Sequence, residues 1–270
     1  MPFTPSHAVV ALPFVRTPLV PAAIAIGAMT PDLPLFVRGL PLHYGRTHDL
    51  TWIAATVLLA FVLLLVWRCL LRPAVRELSP RRLAERLPGE WDAPVAGALR
   101  ETIGYARSGG FSGRALTMTI LSLVFGVVTH IVWDLFTHEG RWGVDLVPML
   151  DERWGPLAGY AWLQHGSSVL GLAIIGAWML VWFVRADAVA PVVRVLPAWV
   201  RGAWWLSLPA ILIGGWCWGL AQFGPLDEDF TAAHLAYRVL PPACAVWGAA
   251  TVALAILAQV RRSALRRVGR

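Results

Sequence analysis

The chain has 270 residues, of which 57% are hydrophobic and only 14% are charged, and its mean hydropathy is +0.62. Soluble domains carry about 25% charged residues, so this composition indicates a membrane protein and excludes an ordinary soluble domain. The formal charge of +7 does not make nucleic acid an expected partner, because the arginines lie mainly between apolar runs and at the C-terminus, as membrane topology requires. The three cysteines lie in apolar runs without a CxxC pair, which disfavours disulfides.

The first 50 residues predict two half-length helices followed by a polar loop. The apolar stretches Ala8–Val15 and Leu19–Met29 are interrupted by prolines, and neither reaches the roughly 20 residues that cross a bilayer. We interpret them as a re-entrant or interfacial helical pair. If the pair returns to the side it left, His7 and Asp32 are neighbours. If residues 3–29 instead cross once, the two side chains lie on opposite faces, and the sequence leaves this open.

Five longer apolar runs predict full membrane spans, which makes the fold an all-α polytopic transmembrane helical bundle in a single membrane domain. The predicted spans are 51–71, 115–138, 161–184, 203–222 and 239–260. Between the first two spans, residues 72–112 form the longest polar segment. The spacing of Leu78, Leu83 and Leu87 there predicts a short amphipathic helix along the membrane surface, with a solvated loop helix as the alternative.

The distribution of arginine predicts the orientation of the spans. Residues 72–112, residues 185–201 and the C-terminal tail hold fifteen arginines, whereas the opposite side holds four. The positive-inside rule therefore places the first set, with the C-terminus, in the cytoplasm of an inner membrane. The same arrangement places most histidines at the outer face, namely His43, His48, His138, His165 and His234. Because orientation and histidine placement are derived separately, their agreement indicates one shared site.

The segment VVTHIVWDLFTHEG carries the clearest indication of chemistry. His130, Asp134 and His138 stand four residues apart, which places all three on one side of a helix. Polar groups in an apolar segment are costly to bury without partners, and imidazole and carboxylate at this spacing are ordinary ligands of zinc and related metals. This helix end is therefore predicted to form half of a metal site, with the other half coming from His- and Asp-bearing segments elsewhere. Thr47, Thr137 and Ser167 are candidates for hydrogen-bond partners of the ligands, with ordinary packing in membrane helices as the alternative.

These motifs resemble a bacterial polytopic membrane-protein family that is similar to the LexA-regulated membrane-bound metal-dependent hydrolases. The resemblance is carried by MPFTPSHAVVALP, MTPDLP, HYGRTHD, VVTHIVWDLFTHEG and QHGSS. His43 and His48 keep the spacing of the hydrolase loop, and the residues that match the hydrolase helix are Gly126, Thr129, His130, Asp134 and Thr137. The order of histidines and aspartates is more distantly similar to that of zinc-dependent phospholipase C and the P1-type nucleases.

The resemblance implies a set of metal ligands, to which we add His43 of the polar loop. The set is His7, Asp32, His43, His48, His130, Asp134, His138 and His165. Two departures from the families matter. Asp49 stands where the hydrolase loop usually has serine, and Val169 stands where the phospholipase pattern has a carboxylate, so a three-metal cluster is not expected.

Together these features predict a metal-dependent hydrolase at the outer membrane face that acts on a phosphoester, with a membrane phospholipid as a candidate substrate. The cofactor is expected to be zinc, with manganese as the alternative, and Asp32 or Asp49 would be the general base. Two other classes stay open: a metal transporter or sensor with the same ligands, and a structural protein whose histidines only form hydrogen bonds. Transport is disfavoured because the last two spans carry no acid or histidine near their middle. The oligomeric state stays open.

Overall fold

The computed structural model describes residues 4–38, 41–106, 109–189 and 191–268, and nearly all of their regular structure is helical, as predicted. The α-helices are α1 (Pro21–Met29), α2 (Leu33–Phe36), α3 (Tyr44–Thr47), α4 (Ile53–Val66), α5 (Arg72–Leu78), α6 (Arg81–Ala84), α7 (Val95–Thr102), α8 (Gly113–Thr137), α9 (Trp142–Leu146), α10 (Gly159–Arg185), α11 (Ala198–Phe223) and α12 (Ala232–Val268). Shorter 3-10 helices cover Thr4–Phe14, Thr30–Asp32, Leu50–Trp52, Gly89–Asp92 and Pro148–Leu150, and a π-helical turn covers Trp67–Leu71. Strands β1 (Arg153–Trp154) and β2 (Leu157–Ala158) form a small antiparallel hairpin.

Five segments of the described chain are long and apolar enough to cross a membrane, which confirms the predicted number of spans. They are Leu50–Leu78, Gly113–Thr137, Gly159–Arg185, Ala198–Phe223 and Ala232–Arg267. All five are longer than predicted, the first and last by the most: the first continues through the π-helical turn into α5, and the last continues into the arginine-rich tail. The polar segment 72–112 therefore begins inside a helix.

The chain divides into two compact units, a finer division than the single domain predicted from the sequence. Unit one contains the chain as far as Leu33 together with His43–Leu65 and Arg100–Ala186. Unit two contains Pro34–Leu42, Val66–Leu99 and the chain from Asp187 onward.

The N-terminal pair of half-length helices is present in unit one. The 3-10 helix Thr4–Phe14 packs against α1, and Thr4 Oγ1 donates a 2.7 Å hydrogen bond to Asp32 Oδ2. The pair therefore returns to the side it left. Because a 3-10 helix has three residues per turn, Thr4 and His7 project from the same side. Of the two alternatives that the sequence left open, the structure has the one in which His7 and Asp32 are neighbours.

Two facing glycines allow α1 to pack closely on α8. A Cβ at Gly27 would stand 2.5 Å from Leu123 O, and a Cβ at Gly126 would stand 2.2 Å from Ile24 O. Only glycine permits two backbones to approach this closely, as in other packed membrane helices. The approach brings the His130 ring of α8 against the backbone of α1.

The structure of unit two differs from the single amphipathic helix predicted within residues 72–112. The helix predicted through Leu78, Leu83 and Leu87 is broken, because α5 ends at Leu78 and α6 begins at Arg81. Pro80 explains the break, since proline disfavours the helical conformation in the residue before it. Leu78 instead joins an apolar cluster that comprises Ala74, Leu78, Leu196, Ala255 and Ala258. Arg107 and Arg270, which the arginine count includes, lie outside the described residues.

A buried ionic network lies in the same unit. Glu77 is fully buried and accepts hydrogen bonds from Leu196 N and Arg262 Nη2, each at 3.1 Å. Arg262 Nη1 also donates to Asp92 Oδ1 at 2.9 Å, and Arg76 donates to the same carboxylate. Membrane topology was expected to explain the arginines, but Arg76 and Arg262 also neutralise carboxylates, those of the buried Glu77 and the half-buried Asp92.

Candidate metal centre

Four side chains of unit one converge on one buried point, which we call the metal centre. Asp32 follows α1, His48 follows α3, and His130 and Asp134 stand one turn apart on α8. One ligand atom from each residue lies within 4.8 Å of every other, and all four residues are buried. Three separate segments therefore contribute to the metal centre, as the sequence predicted for a site shared between helix α8 and the N-terminal region.

The distances between these donor atoms suit a small divalent ion. The Nε2 atoms of His48 and His130 are 3.1 Å apart. Each Nε2 is 3.4 Å from Asp134 Oδ2 and 3.7 Å from Asp32 Oδ1. Ligand atoms bound at 2.0–2.2 Å to a tetrahedral zinc ion are about 3.3–3.6 Å from one another. The metal centre therefore fits a divalent metal ion.

Backbone carbonyls fix the tautomers of both histidines. His48 Nδ1 lies 2.9 Å from Tyr44 O, and His130 Nδ1 lies 2.6 Å from Ala28 O. A carbonyl oxygen can only accept a hydrogen bond, so each Nδ1 carries a proton and each Nε2 of a neutral ring presents a lone pair. Two lone pairs that face each other beside two carboxylates need a positive charge between them. A metal ion supplies that charge, as does a proton on one imidazole.

Asp134 occupies the middle of the arrangement. Both of its carboxylate oxygens are buried, and neither has a hydrogen-bond partner among the described residues. The 3.4 Å contacts to Nε2 of His48 and His130 do not satisfy them, because the tautomers place the protons on Nδ1. His7 Nε2 lies 3.9 Å from Asp134 Oδ1, and His138 Nδ1 lies 3.6 Å from Oδ2. A buried carboxylate without a donor is costly, and a cation bound beside Asp134 would offset that cost.

Burial determines the protonation of the groups that flank the metal centre. Burial and the nearby His130 lower the pKa of His7 to about 3, and burial also lowers the pKa of His138. Both flanking rings are therefore neutral at physiological pH. Burial raises the pKa of the Asp32 carboxyl, because it disfavours the charged carboxylate. A divalent cation beside Asp32 would favour the charged form and so oppose this effect.

Two hydroxyl groups hold the ligands in place. Thr47 Oγ1 donates a 2.7 Å hydrogen bond to Pro31 O, which ties the His48 loop to the turn that carries Asp32. The Thr4 hydroxyl binds Asp32 Oδ2, so that Oδ1 is left to face the histidines. Such contacts orient metal ligands. Thr47 was expected in this role, whereas Thr4 was missed; its signal is the three-residue spacing from His7 in a 3-10 helix.

Two predicted residues of the polar loop lie outside the metal centre. His43 is exposed at the residue before α3. Asp49 is also exposed, and its Oδ1 accepts a 2.8 Å hydrogen bond from Thr51 N. This bond caps the 3-10 helix that opens the first span, which explains an aspartate at this position. Of the two residues predicted as the general base, only Asp32 reaches the metal centre.

His165 also lies outside the metal centre, because the register of α10 turns its side chain outward. Gln164, Ser168 and Gly171 form the buried side of α10, and a Cβ at Gly171 would stand 3.0 Å from Ser6 O. The side-chain amide of Gln164 lies 3.1 Å from His138 Nε2. Gln164, and not the predicted ligand His165, therefore faces inward beside His138, and the signal that identifies it is its helical spacing from Ser168 and Gly171.

One protein-family model matches residues 1–217, well over half of the chain, and its description is Domain of unknown function (DUF4184). The chain belongs to this family. The DUF4184 match contains all four residues of the metal centre and ends within α11, so that α12 lies beyond it. Neither the curated proteins nor the solved structures include a match to the chain. Because the DUF4184 description names no activity, the resemblance to the LexA-regulated hydrolases stays a prediction.

Proposed function

We propose that this member of the DUF4184 family is a membrane-bound metal-dependent hydrolase that acts on a phosphoester. The observation that supports the proposal is the metal centre itself. Two carboxylates and two imidazole lone pairs converge at distances suited to a tetrahedral ion, and no arginine within the described chain neutralises them. Zinc is the ion we propose, because two of its protein ligands would be imidazoles, whereas manganese prefers oxygen ligands.

A divalent ion at this position would lower the pKa of a bound water and polarise a phosphoryl oxygen. The chain supplies the surroundings for that chemistry. Asp32 and Asp134 offset the two positive charges of the ion, and the neutral rings of His7 and His138 add none, so an anionic phosphoester meets no net repulsion.

We propose that His48, His130 and Asp134 hold the ion, which leaves its fourth position to the water. Asp32 is then our candidate for the group that accepts a proton from that water, since Thr4 holds its Oδ2 and its Oδ1 faces the metal centre.

We further propose that the metal centre lies at the outer face of a bacterial inner membrane, with the C-terminus in the cytoplasm. The arginine distribution supports this orientation, with fifteen arginines assigned to the cytoplasmic side and four to the other. Membrane lipids would then surround the spans, and a phospholipid or another phosphoester would reach the metal centre from the membrane surface.

Metal content per chain tests the metal centre directly. We expect near-stoichiometric zinc, measured by plasma mass spectrometry, in protein purified in detergent without a chelator and supplied with zinc. Asp134→Asn and His48→Ala should lose most of it while they keep a cooperative thermal unfolding transition. Asp49→Asn is the matched control, because this carboxylate neighbours His48 in sequence but is exposed, and it should keep the wild-type content.

The activity needs its own measurement. Zinc-loaded protein should release phosphate products from a chromogenic phosphodiester or from phospholipid in mixed micelles, and Asp134→Asn should not. If wild-type protein binds no metal after zinc is added back, the histidines form only a structural hydrogen-bond network and the hydrolase proposal is wrong. If metal binds but no phosphoester is cleaved, the metal-binding part stands and the proposed reaction does not.

A further inference from the structure

An apolar groove of about 630 Å³ opens beside the metal centre in unit one. The 3-10 helix Thr4–Phe14, α8 and α10 form its walls, with side chains that include Val10, Val132, Leu170 and Ile174. This volume lies within the range of small-molecule sites, which are mostly apolar and have a few polar groups at fixed places.

Two of the three hydroxyl groups in the groove wall, those of Thr129 and Ser167, are already occupied by other bonds. Thr129 Oγ1 donates to Gly126 O at 2.8 Å, and Ser167 Oγ donates to Gln164 O at 3.3 Å. Ser167 Oγ also accepts a 3.2 Å hydrogen bond from Trp133 Nε1. Because these hydroxyls already have hydrogen-bond partners, an apolar molecule can occupy the groove without leaving them unpaired.

His7 connects the groove to the metal centre. Its ring is part of the groove wall and stacks on the His130 ring with centroids 4.1 Å apart. His7 Nε2 is buried, lies 3.9 Å from Asp134 Oδ1 and has no hydrogen-bond partner within the described chain. A molecule in the groove therefore has one end next to the metal centre.

We infer that the groove holds an acyl chain of a membrane glycerophospholipid whose phosphoester headgroup lies at the metal centre. This inference rests on the proposed function and names its substrate class. Helices α8 and α10 are both long and apolar enough to cross a membrane, so the groove opens toward hydrocarbon. Val132, Leu170 and Ile174 are exposed on its rim, where a lipid chain would cover them. A water-soluble phosphoester has no long apolar part that would fill an apolar groove ending at the metal centre.

The size and direction of the groove agree with one acyl chain. Along α10 it runs from Ser167 to Ile174, which is about 10 Å at 1.5 Å per residue. This is roughly a third of the 30 Å hydrocarbon core of a bilayer. Asp134 follows Trp133 on α8, and Trp133 Nε1 donates to Ser167 Oγ, so the Trp133 and Ser167 end of the groove is level with Asp134 of the metal centre. Ile174 lies on the far side of Gly171, which contacts Ser6, and is therefore farther from Asp134. The carboxyl end of an acyl chain should therefore lie near Trp133.

Photo-crosslinking in a lipid bilayer tests this arrangement. The full chain is reconstituted into liposomes of phosphatidylethanolamine and phosphatidylglycerol that contain a little phosphatidylethanolamine with a diazirine in one acyl chain. A diazirine near the carboxyl carbon should label Trp133 and Ser167, and a diazirine farther along the chain should label Val10 and Ile174, as mapped by peptide mass spectrometry. Leu170→Trp, which fills the groove from its rim, should lower this labelling about tenfold.

The neighbouring position on the same helix provides the control. Val169 is as exposed as Leu170 but does not line the groove, so Val169→Trp should leave the labelling unchanged. Ile174→Trp is a second groove-filling variant in case Leu170→Trp does not fold. Labelling that is spread evenly over the exposed faces of α8 and α10, or that Leu170→Trp does not alter, would overturn the inference. A Leu170→Trp variant that differs from the wild type in oligomeric mass but not in labelling would also overturn the inference. That result would mean that a second copy of the chain occupies the groove.

The two proposals fail in different ways. Leu170→Trp should lose acyl labelling but keep its zinc, whereas Asp134→Asn should lose zinc but keep acyl labelling. If the wild-type protein shows groove-specific labelling but no metal, the groove binds lipid and the hydrolase proposal is wrong. If it holds metal and cleaves a phosphoester without groove-specific labelling, the reaction stands and the lipid substrate does not.

Discussion

Two sets of carboxylates in this chain, all buried except the half-buried Asp92, meet different partners. In unit two, Glu77 and Asp92 accept hydrogen bonds from Arg262 and Arg76, so their charges are neutralised within the chain. In unit one, Asp134 shares the metal centre with Asp32 and histidine lone pairs, and both of its oxygens lack a hydrogen-bond donor in the described residues.

The comparison separates a structural network from a binding site. Burying charges is costly unless they are paired, and removing one partner leaves the other uncompensated. A network that already contains its cations should respond to mutation through stability alone. Mutation of a group in a set that can only accept hydrogen bonds should instead show its effect as a loss of the bound cation. The predictions below use this difference.

The largest effect is expected from Glu77→Gln in unit two. The substitution keeps the shape of the side chain but leaves the buried Arg262 guanidinium without one of its carboxylates. We expect a loss of about 3 to 5 kcal/mol in the free energy of unfolding, with zinc per chain unchanged. Denaturant unfolding in detergent measures the first quantity and plasma mass spectrometry the second.

Glu85→Gln is the control for Glu77→Gln. Glu85 pairs with Arg81, whose side chain is 85% exposed, so its loss should cost under about 1 kcal/mol. Equal losses in the two variants would contradict the comparison, because they would mean that burial of the network contributes nothing.

Metal removal should have the next largest effect, and only in unit one. At a zinc concentration about 100 times the dissociation constant, binding stabilises the folded state by roughly 2.7 kcal/mol, which a chelator removes.

Asp134→Asn should not respond to the chelator. Without metal it should be at least as stable as the wild type, because the substitution removes an uncompensated buried charge. A metal-free Asp134→Asn that is much less stable than metal-free wild type would assign Asp134 to a structural network like that of Glu77.

A smaller effect is expected from Gly126→Ala, which acts on the packing that positions the metal centre. The added Cβ would stand 2.2 Å from Ile24 O, so α1 must move away from α8 and the contact between His130 and Ala28 is lost. We expect a loss of about 1 to 3 kcal/mol in unfolding free energy and weaker zinc binding. Gly166→Ala on α10 is the control, because a Cβ there meets no atom within 4 Å. Undiminished zinc affinity in Gly126→Ala would show that this packing does not position His130.

The smallest effects are expected at the predicted ligands that the structure leaves exposed. His43→Ala and His165→Ala should each change the unfolding free energy by less than about 0.5 kcal/mol and leave zinc per chain unchanged. Isothermal titration with zinc compares them with His48→Ala. Loss of zinc in His165→Ala would mean that α10 turns to bring His165 to the metal centre in place of Gln164.

The sequence by itself determined the features that depend on local composition and spacing. Apolar runs of sufficient length predicted five spans, and runs shortened by proline predicted the half-length pair, because hydropathy and the cost of an unpaired backbone act along a single segment. The four-residue spacing of His130 and Asp134 predicted a shared helix face, because helical geometry alone requires it. Together with the two histidines of the polar loop, these features identified the three segments that supply the metal centre.

Only the tertiary structure decided which distant residues meet. Helical spacing shows which side chains share a face, but the face that turns inward depends on the neighbouring backbone, and Gly171 beside Ser6 therefore buries Gln164 and leaves His165 exposed. The return of the N-terminal pair, seen in the bond between Thr4 and Asp32, likewise depends on how closely α1 can pack on α8. Charge counts could not show that Arg76 and Arg262 are buried partners of carboxylates, because pairing depends on distance in space and not on distance along the chain.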